Sequence, residues 1–411
     1  MLSINAERFE ESFETYSEIG ETDAGGLNRV ALTDADRRVR DQFVSDLESL
    51  DVDVWIDEIG NIFARREGAV SGAPPILIGS HLDSQPMGGR YDGQLGVLCA
   101  LETIRILDDE GITTDRPIEI VNWTDEEGAR FNMAPLGSGT FTGEFDLENA
   151  LAASDADGTT VKDALTTIGY DGDTPCEPHE LAAYLELHIE QGRVLERNGT
   201  PIGNVRGVTG LDWFDVHING VADHAGTTPM SQRQDPVVTA STVIQQLKSL
   251  CAYFDEDIVV TVGDVDVSPG SINVIPDECS FTIDIRCYDD KMRAEAIEWI
   301  EAELRAVAAR EQTEHELQSL NSVDHTEFAP YIRQTITETV DDLGIGETSL
   351  VSRAFHDAMY LSKVTDVGMI FVPSVDGKSH TEEEYTHWED VLAGASVYTN
   401  TAYRLAQIDD E

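Results

Sequence analysis

The stretch Gly79 to Gly93 reads G-S-H-L-D-S-Q-P-M-G-G-R-Y-D-G and sets His81, Asp83 and Asp92 among glycines. It follows Pro75-Ile76-Leu77-Ile78, a short apolar run of buried-strand type. Alternate side chains of a strand point the same way, so His81 and Asp83 can share one face. An imidazole backed by a carboxylate is a usual arrangement around a metal ion. Asp92 sits in a loop able to return its carboxylate to the same point. A second piece, Ile118 to Trp123, runs into Thr124-Asp125-Glu126-Glu127-Gly128. Adjacent carboxylates at a strand end repel one another and call for cations. A third is Leu185-Glu186-Leu187-His188-Ile189-Glu190-Gln191-Gly192, and a fourth is Gly377-Lys378-Ser379-His380. Three imidazoles with several carboxylates make a ligand set suited to zinc, manganese or cobalt. Glu190 reads equally as an acid in the first turn of a helix, near its positive dipole end.

The elements that must position these groups follow from periodicity. Asp34 to Leu50 predicts a helix capped near Thr33, with Val39, Phe43, Leu47 and Leu50 on one stripe. Val52 to Ile56 and Ile62 to Arg65 predict strands, and Leu95 to Leu107 an apolar helix leaving the Asp92 loop. Alternating strands and helices indicate an α/β fold with a mostly parallel sheet, whose ligands lie in loops after strand ends. Near Gly210 the pattern changes. Phe214 to Gly220 alternates as a strand, and Pro236 to Phe254 reads as a helix. Ile258 to Val267 and Ser280 to Tyr288 read as strands, and Lys291 to Glu316 as a long helix. Ser322 to Phe328 leads back, and Val367 to Val372 is a strand before His380. The prediction is a discontinuous catalytic domain, 1–210 with 326–411, interrupted by an α+β insert at 211–325.

The 411 residues are 41% hydrophobic, ample for a large core. No run of eighteen apolar residues occurs, so no membrane-spanning helix is expected. The start, Met1 to Arg8, lacks the pattern of a signal peptide. Five cysteines (Cys99, Cys176, Cys251, Cys279, Cys287) are scattered without C-x-x-C spacing. Reduced thiols in a cytoplasm are the expectation, with Cys99 in the core. The net charge is −52, from 79 acidic and 27 basic residues, and Lys162, Lys248, Lys291, Lys363 and Lys378 are the only lysines. Such charge repels nucleic acid and anionic membranes. Spread along well-patterned segments, it reads as adaptation to high salt, where self-repulsion is screened.

Several motifs in order carry a resemblance over nearly the whole chain. They are Gly60-Asn61, the His81 to Asp92 and Asp125 to Glu127 elements, H-A-G-T-T-P-M from His224 to Met230, N-V-I-P from Asn273 to Pro276, and Ser379-His380. The chain resembles the binuclear metal amidohydrolases of the M20 peptidase-like group. Within it, the resemblance is to the amidase, hydantoinase and carbamoylase branch: N-carbamoyl-L-amino-acid hydrolases, β-ureidopropionases and allantoate amidohydrolases. It implies a zinc-exopeptidase-like catalytic domain and an insert serving as lid and dimerisation domain of a homodimer. It implies two divalent ions per subunit, zinc foremost, with manganese, cobalt or nickel as alternatives.

In that pattern Asp92 bridges the ions, His81 and His188 complete one, and Glu127 and His380 complete the other. Asp83 orients His81, and Glu126 is the general base. Residue types alone also permit exchange of the Glu126 and Glu127 roles. His224 is implied to polarise the scissile carbonyl, from its own subunit or its partner's. Asn273 and Arg286 match positions that hold a substrate carboxylate, a task suited to Arg's planar fork. An ion pair of Arg286 with Asp284 or Asp289 is the structural alternative. Gln191 and His356 match pocket positions, and Phe355 stands where many relatives have a small residue. His179, His217, His315, His325 and His387 match no motif and are read as surface or satisfied residues.

The expected activity is hydrolysis of an N-carbamoyl amino acid to amino acid, ammonia and carbon dioxide. The alternatives are an allantoate amidohydrolase, an M20-type dipeptidase or aminoacylase, and a metal-binding scaffold without catalysis. Retention of Glu126 argues against the last. A zinc deaminase is disfavoured because no H-x-E with P-C-x-x-C occurs.

Overall fold

The computed structural model describes residues 1–254 and 257–408, except for the side chain of Cys251. The chain divides into two units, Met1–Gly207 with Glu327–Glu411, and Val208–Thr326.

The first unit is built on a nine-stranded sheet. Its centre is four mutually parallel strands in the order Ile118–Trp123, Ile76–His81, Ala183–Ile189, Val367–Val372. All residues of these strands are buried. Helices cover parallel sheets on both faces, so such strands read as unbroken apolar runs. Asp53–Ile56 and Ile62–Arg66 continue the sheet antiparallel on one side, and Ile202–Val208 does so on the other. The helix Gln94–Asp109 packs on the central strands. It is apolar around most of its girth (Leu95, Val97, Leu98, Cys99, Leu101, Ile104, Leu107) because both its sheet side and its outer side are covered. The helices Ala6–Ser17, Pro330–Leu343 and Trp388–Leu405 add Phe9, Phe13, Ile332, Ile336, Val391 and Tyr398 to the same core. Asp34–Glu48 is a helix whose first turn is capped by the Thr33 hydroxyl, as its sequence indicates.

The second unit is a five-stranded antiparallel sheet with helices Pro236–Leu247 and Asp290–Glu311 packed on it. Cys279, Phe281, Ile283, Ile285 and Cys287 alternate inward along the strand Glu278–Cys287 and meet Val243, Leu247, Ile300 and Leu304. Fully burying each large apolar side chain contributes about 1.5–3 kcal/mol.

Three expectations need correction here. The helix expected to run to Glu316 stops at Glu311, because Gln312 adopts a left-handed conformation (φ 57°) that ends it. Glu314–Val323 is instead a strand paired with Gly210–Asn219. Its residues are almost all exposed, so no apolar alternation marks it. The segment Pro236 to Phe254 is two helices, broken after Leu247 and resuming at Leu250. Ile258 to Val267 is likewise two short strands, Val259–Thr261 and Val265–Ser268.

Among the described residues, Cys99, Cys176, Cys279 and Cys287 are free thiols, and Cys99 is fully buried. No helix among them is long and apolar enough to cross a membrane.

Candidate metal centre and active site

The carboxyl ends of the four parallel strands deliver the chemistry. His81 is the last residue of its strand, and His188 is next to last in its own. Glu126 and Glu127 follow the strand ending at Trp123, and His380 lies in the loop after Val372.

His81 Nδ1 lies 3.1 Å from the backbone carbonyl of Asp83, and His188 Nδ1 lies 3.0 Å from that of Ile189. A carbonyl only accepts, so each Nδ1 carries the proton and each Nε2 offers a lone pair. Both Nε2 atoms face Oδ1 of Asp92, at 3.4 Å from His81 and 3.0 Å from His188. The other oxygen of Asp92, Oδ2, lies 3.5 Å from His380 Nε2, which is itself 3.3 Å from Glu127 Oε2. The ligand-type atoms of His81, Asp92 and His188 fall within 4.8 Å of one another, and so do those of Asp92, Glu127 and His380. Asp92 therefore belongs to both triads. Gly93 makes this approach possible: its backbone is left-handed (φ 63°), and a Cβ there would lie 2.4 Å from the His81 ring.

The surroundings test whether cations fit. His81 Nε2 is buried without a hydrogen-bond partner. Asp92, Glu126 and Glu127 converge on this point and raise one another's ionisation cost. Burial first, and then Asp92, push the Glu127 carboxyl up to about 8. Burial likewise takes Glu126 well above the carboxylate range, with Asp357, Glu127 and Asp92 adding to it against His81. Burial acts the same way on Asp92, but the positive charge of the His188 and His81 rings in their protonated form outweighs it and holds that carboxyl well below its usual range. Buried carboxylates crowded around the unpartnered Nε2 of His81, with His188 Nε2 taking only the Gly93 N–H at 3.3 Å, suit divalent cations. A third grouping, Glu186, His188 and His356, shares His188 with the first. Its Glu186 oxygens are already used by Ser80 Oγ, Tyr184 OH and Ala358 N.

Asp83 differs from the sequence reading in its means. Its backbone carbonyl holds His81, while its carboxylate stands 3.6 Å from Nδ1. The carboxylate oxygens instead accept the N–H groups of Glu126 and Glu127, at 3.4 Å each. Glu126 Oε2 stands 3.6 Å from His81 Nε2, beside both triads and within neither. Gln191 Nε2 donates to Asp92 Oδ2 at 2.9 Å. His356 is buried with its ring 4.6 Å from that of His188, and burial holds it neutral, well below the usual histidine range. Glu190 lies ahead of the helix Val194–Asn198 rather than in its first turn, and its carboxylate accepts from Val194 N and Leu195 N.

His224, Asn273 and Arg286 lie in the second unit. His224 and Asn273 neighbour one another where a two-residue strand, Asp223–His224, pairs with Val274–Ile275. Both His224 and Asn273 are exposed. Arg286 pairs with Asp284 at 2.8 Å, the ion pair its sequence also allowed. His179 and His325 are paired with Glu119 and Asp290, each at 2.7 Å.

Sequence reasoning missed Gln85 and Glu384. Gln85 holds Glu127 through its backbone N–H and its side-chain amide, at 3.1 and 3.0 Å. Glu384 accepts the backbone N–H of Tyr91 and of Asp92. Nothing distinguishes Glu384 from its neighbours in the acidic run Thr381-Glu382-Glu383-Glu384.

The chain that carries this site is similar to known proteins over nearly its whole length. Residues 77–404 match the Peptidase family M20/M25/M40. The chain belongs to that family. Its members are divalent-metal hydrolases. An N-carbamoyl-L-amino-acid amidohydrolase of Rhizobium meliloti is 38% identical over 98% of this chain and 97% of its own. One of Geobacillus stearothermophilus is 37% identical over 98% and 99%. The crystal structure of an amidase of the hydantoinase/carbamoylase family from Burkholderia multivorans superposes with a TM-score of 0.94 at 40% identity, covering 98% of each chain.

Proposed function

We propose that this protein hydrolyses the ureido C–N bond of N-carbamoyl-L-amino acids, releasing the amino acid, ammonia and carbon dioxide. The observation that carries the reading is Asp92, which turns one oxygen to His81 and His188 and the other to His380. His81, Asp92 and His188 would hold one divalent cation, and Asp92, Glu127 and His380 a second. Two such ions supply an acidified water and a Lewis acid for the amide carbonyl. Imidazole and carboxylate donors suit zinc first, with manganese, cobalt or nickel able to substitute.

Glu126 is the group left for proton transfer. It borders the cluster without joining either triad, and Asp83 fixes its backbone. It takes a proton from the attacking water and passes it to the leaving nitrogen, a role worth roughly 10²–10⁴ in rate. Gln191 and His356 would line the pocket at the carbamoyl or the carboxylate end of the substrate. For His224 as the carbonyl-polarising residue, and Asn273 and Arg286 as holders of the substrate carboxylate, the support is residue type and motif. The same motifs support a homodimer formed through the Val208–Thr326 unit. The free thiols Cys99, Cys176, Cys279 and Cys287 support a cytoplasmic enzyme.

The test is ammonia release from a panel of N-carbamoyl-L-amino acids, allantoate and dipeptides, in molar KCl with added Zn²⁺ or Mn²⁺. The highest kcat/KM is expected on an N-carbamoyl-L-amino acid. Preference for allantoate or a dipeptide overturns the substrate assignment.

A further inference from the structure

Glu384 is 5% exposed, and its carboxylate lies behind Asp92. Its Oε1 accepts two backbone N–H groups, Tyr91 at 2.9 Å and Asp92 at 3.2 Å. Its Oε2 lies 3.2 Å from Ser379 Oγ, and the same Oγ is 3.0 Å from Asp92 Oδ2. Ser379 precedes His380. One carboxylate thus fixes the backbone of the shared Asp92 and, through one hydroxyl, touches the loop that carries His380. Chain separation makes this costly to arrange, since Tyr91 and Glu384 are 293 residues apart. The approach also depends on Gly89. A Cβ at Gly89 would lie 1.9 Å from the Glu384 carboxyl carbon. The Gly89 backbone is not in the left-handed region, so only the space taken by Glu384 demands a glycine there.

We propose that Glu384 is a positioning residue for the metal centre. It holds the Asp92 loop and the His380 loop in register, so that Asp92 Oδ2, Glu127 and His380 converge on a divalent cation. This rests on the metal-hydrolase reading above, but not on which amide is the substrate. Groups standing behind metal ligands typically matter by about 10–100-fold in affinity or activity. A role in folding alone would lower stability and leave ion affinity and turnover untouched.

The experiment measures Zn²⁺ and Mn²⁺ affinity by competition with a chromogenic chelator, alongside kcat and KM, for wild type, E384Q, E384A and G89A. E384A is expected to bind the weaker of the two ions about 10–100-fold less tightly, with lower kcat and little change in KM. E384Q keeps an acceptor for both N–H groups and is expected to recover most of both quantities. G89A leaves Glu384 in place but fills its seat, so it should reproduce E384A. The double variant G89A/E384A should be no worse than either single one, because neighbouring substitutions that act on one contact are not additive. Should E384A fail to fold, G89A against E384Q decides the matter. Ion affinities and kcat in E384A and G89A equal to wild type, with only thermal stability reduced, overturn the proposal. A wild-type protein that binds no divalent ion overturns the functional reading as well.

Discussion

The Nε2 atom of His188 stands 3.0 Å from Oδ1 of Asp92, while Oδ2 of the same carboxylate faces His380 Nε2 at 3.5 Å. One aspartate thereby serves two imidazole groups at once. Two cations a few ångströms apart repel, and a carboxylate between them offsets that repulsion. Replacing Asp92 should therefore affect both ions, whereas replacing His380 should affect one. Bound metal per subunit, measured by mass spectrometry after equilibration with Zn²⁺, should fall from two to one or none in D92N. In H380A it should fall to one. Two tightly held ions in D92N would show that Asp92 is not shared.

Glu126 lies outside both triads, so its loss should separate binding from chemistry. E126Q should keep wild-type metal content while kcat falls by roughly 10²–10⁴. The adjacent change E127Q should lower metal content instead, because Glu127 Oε2 faces His380 at 3.3 Å. If E126Q loses metal and E127Q does not, the two roles are exchanged.

Much of this centre is legible in sequence because buried parallel strands are written as unbroken apolar runs. Ile76-Leu77-Ile78 announces His81, and Val367 to Val372 announces the loop of His380. Asp92 is marked by its glycines. Other parts leave no trace. The partner that orients His81 is a backbone carbonyl, which has no residue signature. Glu384 is one acid among 79, and only its burial behind Asp92 singles it out. The strand Glu314–Val323 is invisible to hydrophobic patterning because almost all its residues are exposed.

A buried acid away from the centre gives a pH test. Burial raises Asp57 to about 6, although Asn61 and the N–H of Ile59 hydrogen-bond to it. The unfolded chain ionises this group near pH 3.9, before the folded one does. Its stabilising contribution is thus present below about pH 4 and lost as pH rises through about 6, by at most roughly 3 kcal/mol. D57N cannot titrate, and the disturbed contacts to Asn61 cost it the same at every pH. Urea melts in high salt should show D57N gaining on wild type between pH 4 and pH 6, then holding level. A constant difference across that range would mean that Asp57 titrates normally in the folded protein.

A chain with a net charge of −52 repels itself. The Debye length shrinks from about 10 Å at 0.1 M salt to about 3 Å at 1 M. Self-repulsion among exposed carboxylates should weaken accordingly, while hydrogen bonds within the buried core stay as they are. Thermal midpoints are expected to rise between 0.1 M and 2 M KCl. KCl should be compared with an equal rise in sucrose, which strengthens burial without screening charge. Midpoints that fall with KCl, or respond equally to sucrose, contradict the electrostatic account.

His224 belongs to the Val208–Thr326 unit, whereas all the ligand-type residues of the metal centre belong to the other. His224 is exposed, on a two-residue strand paired with Val274–Ile275. If two copies associate through this unit, His224 of one copy can serve the centre of the other. The expectation is that inactive H224A and inactive E126Q, mixed and allowed to exchange subunits, regain activity. In the mixed dimer one centre has its own Glu126 and receives an intact His224 from its partner. Random exchange at equal amounts makes half the dimers mixed, each with one complete centre, so about a quarter of wild-type activity is the ceiling. Exchange is checked separately by mass tagging one variant. Complete exchange with activity no higher than the separate variants would place His224 in its own subunit's chemistry, or in none.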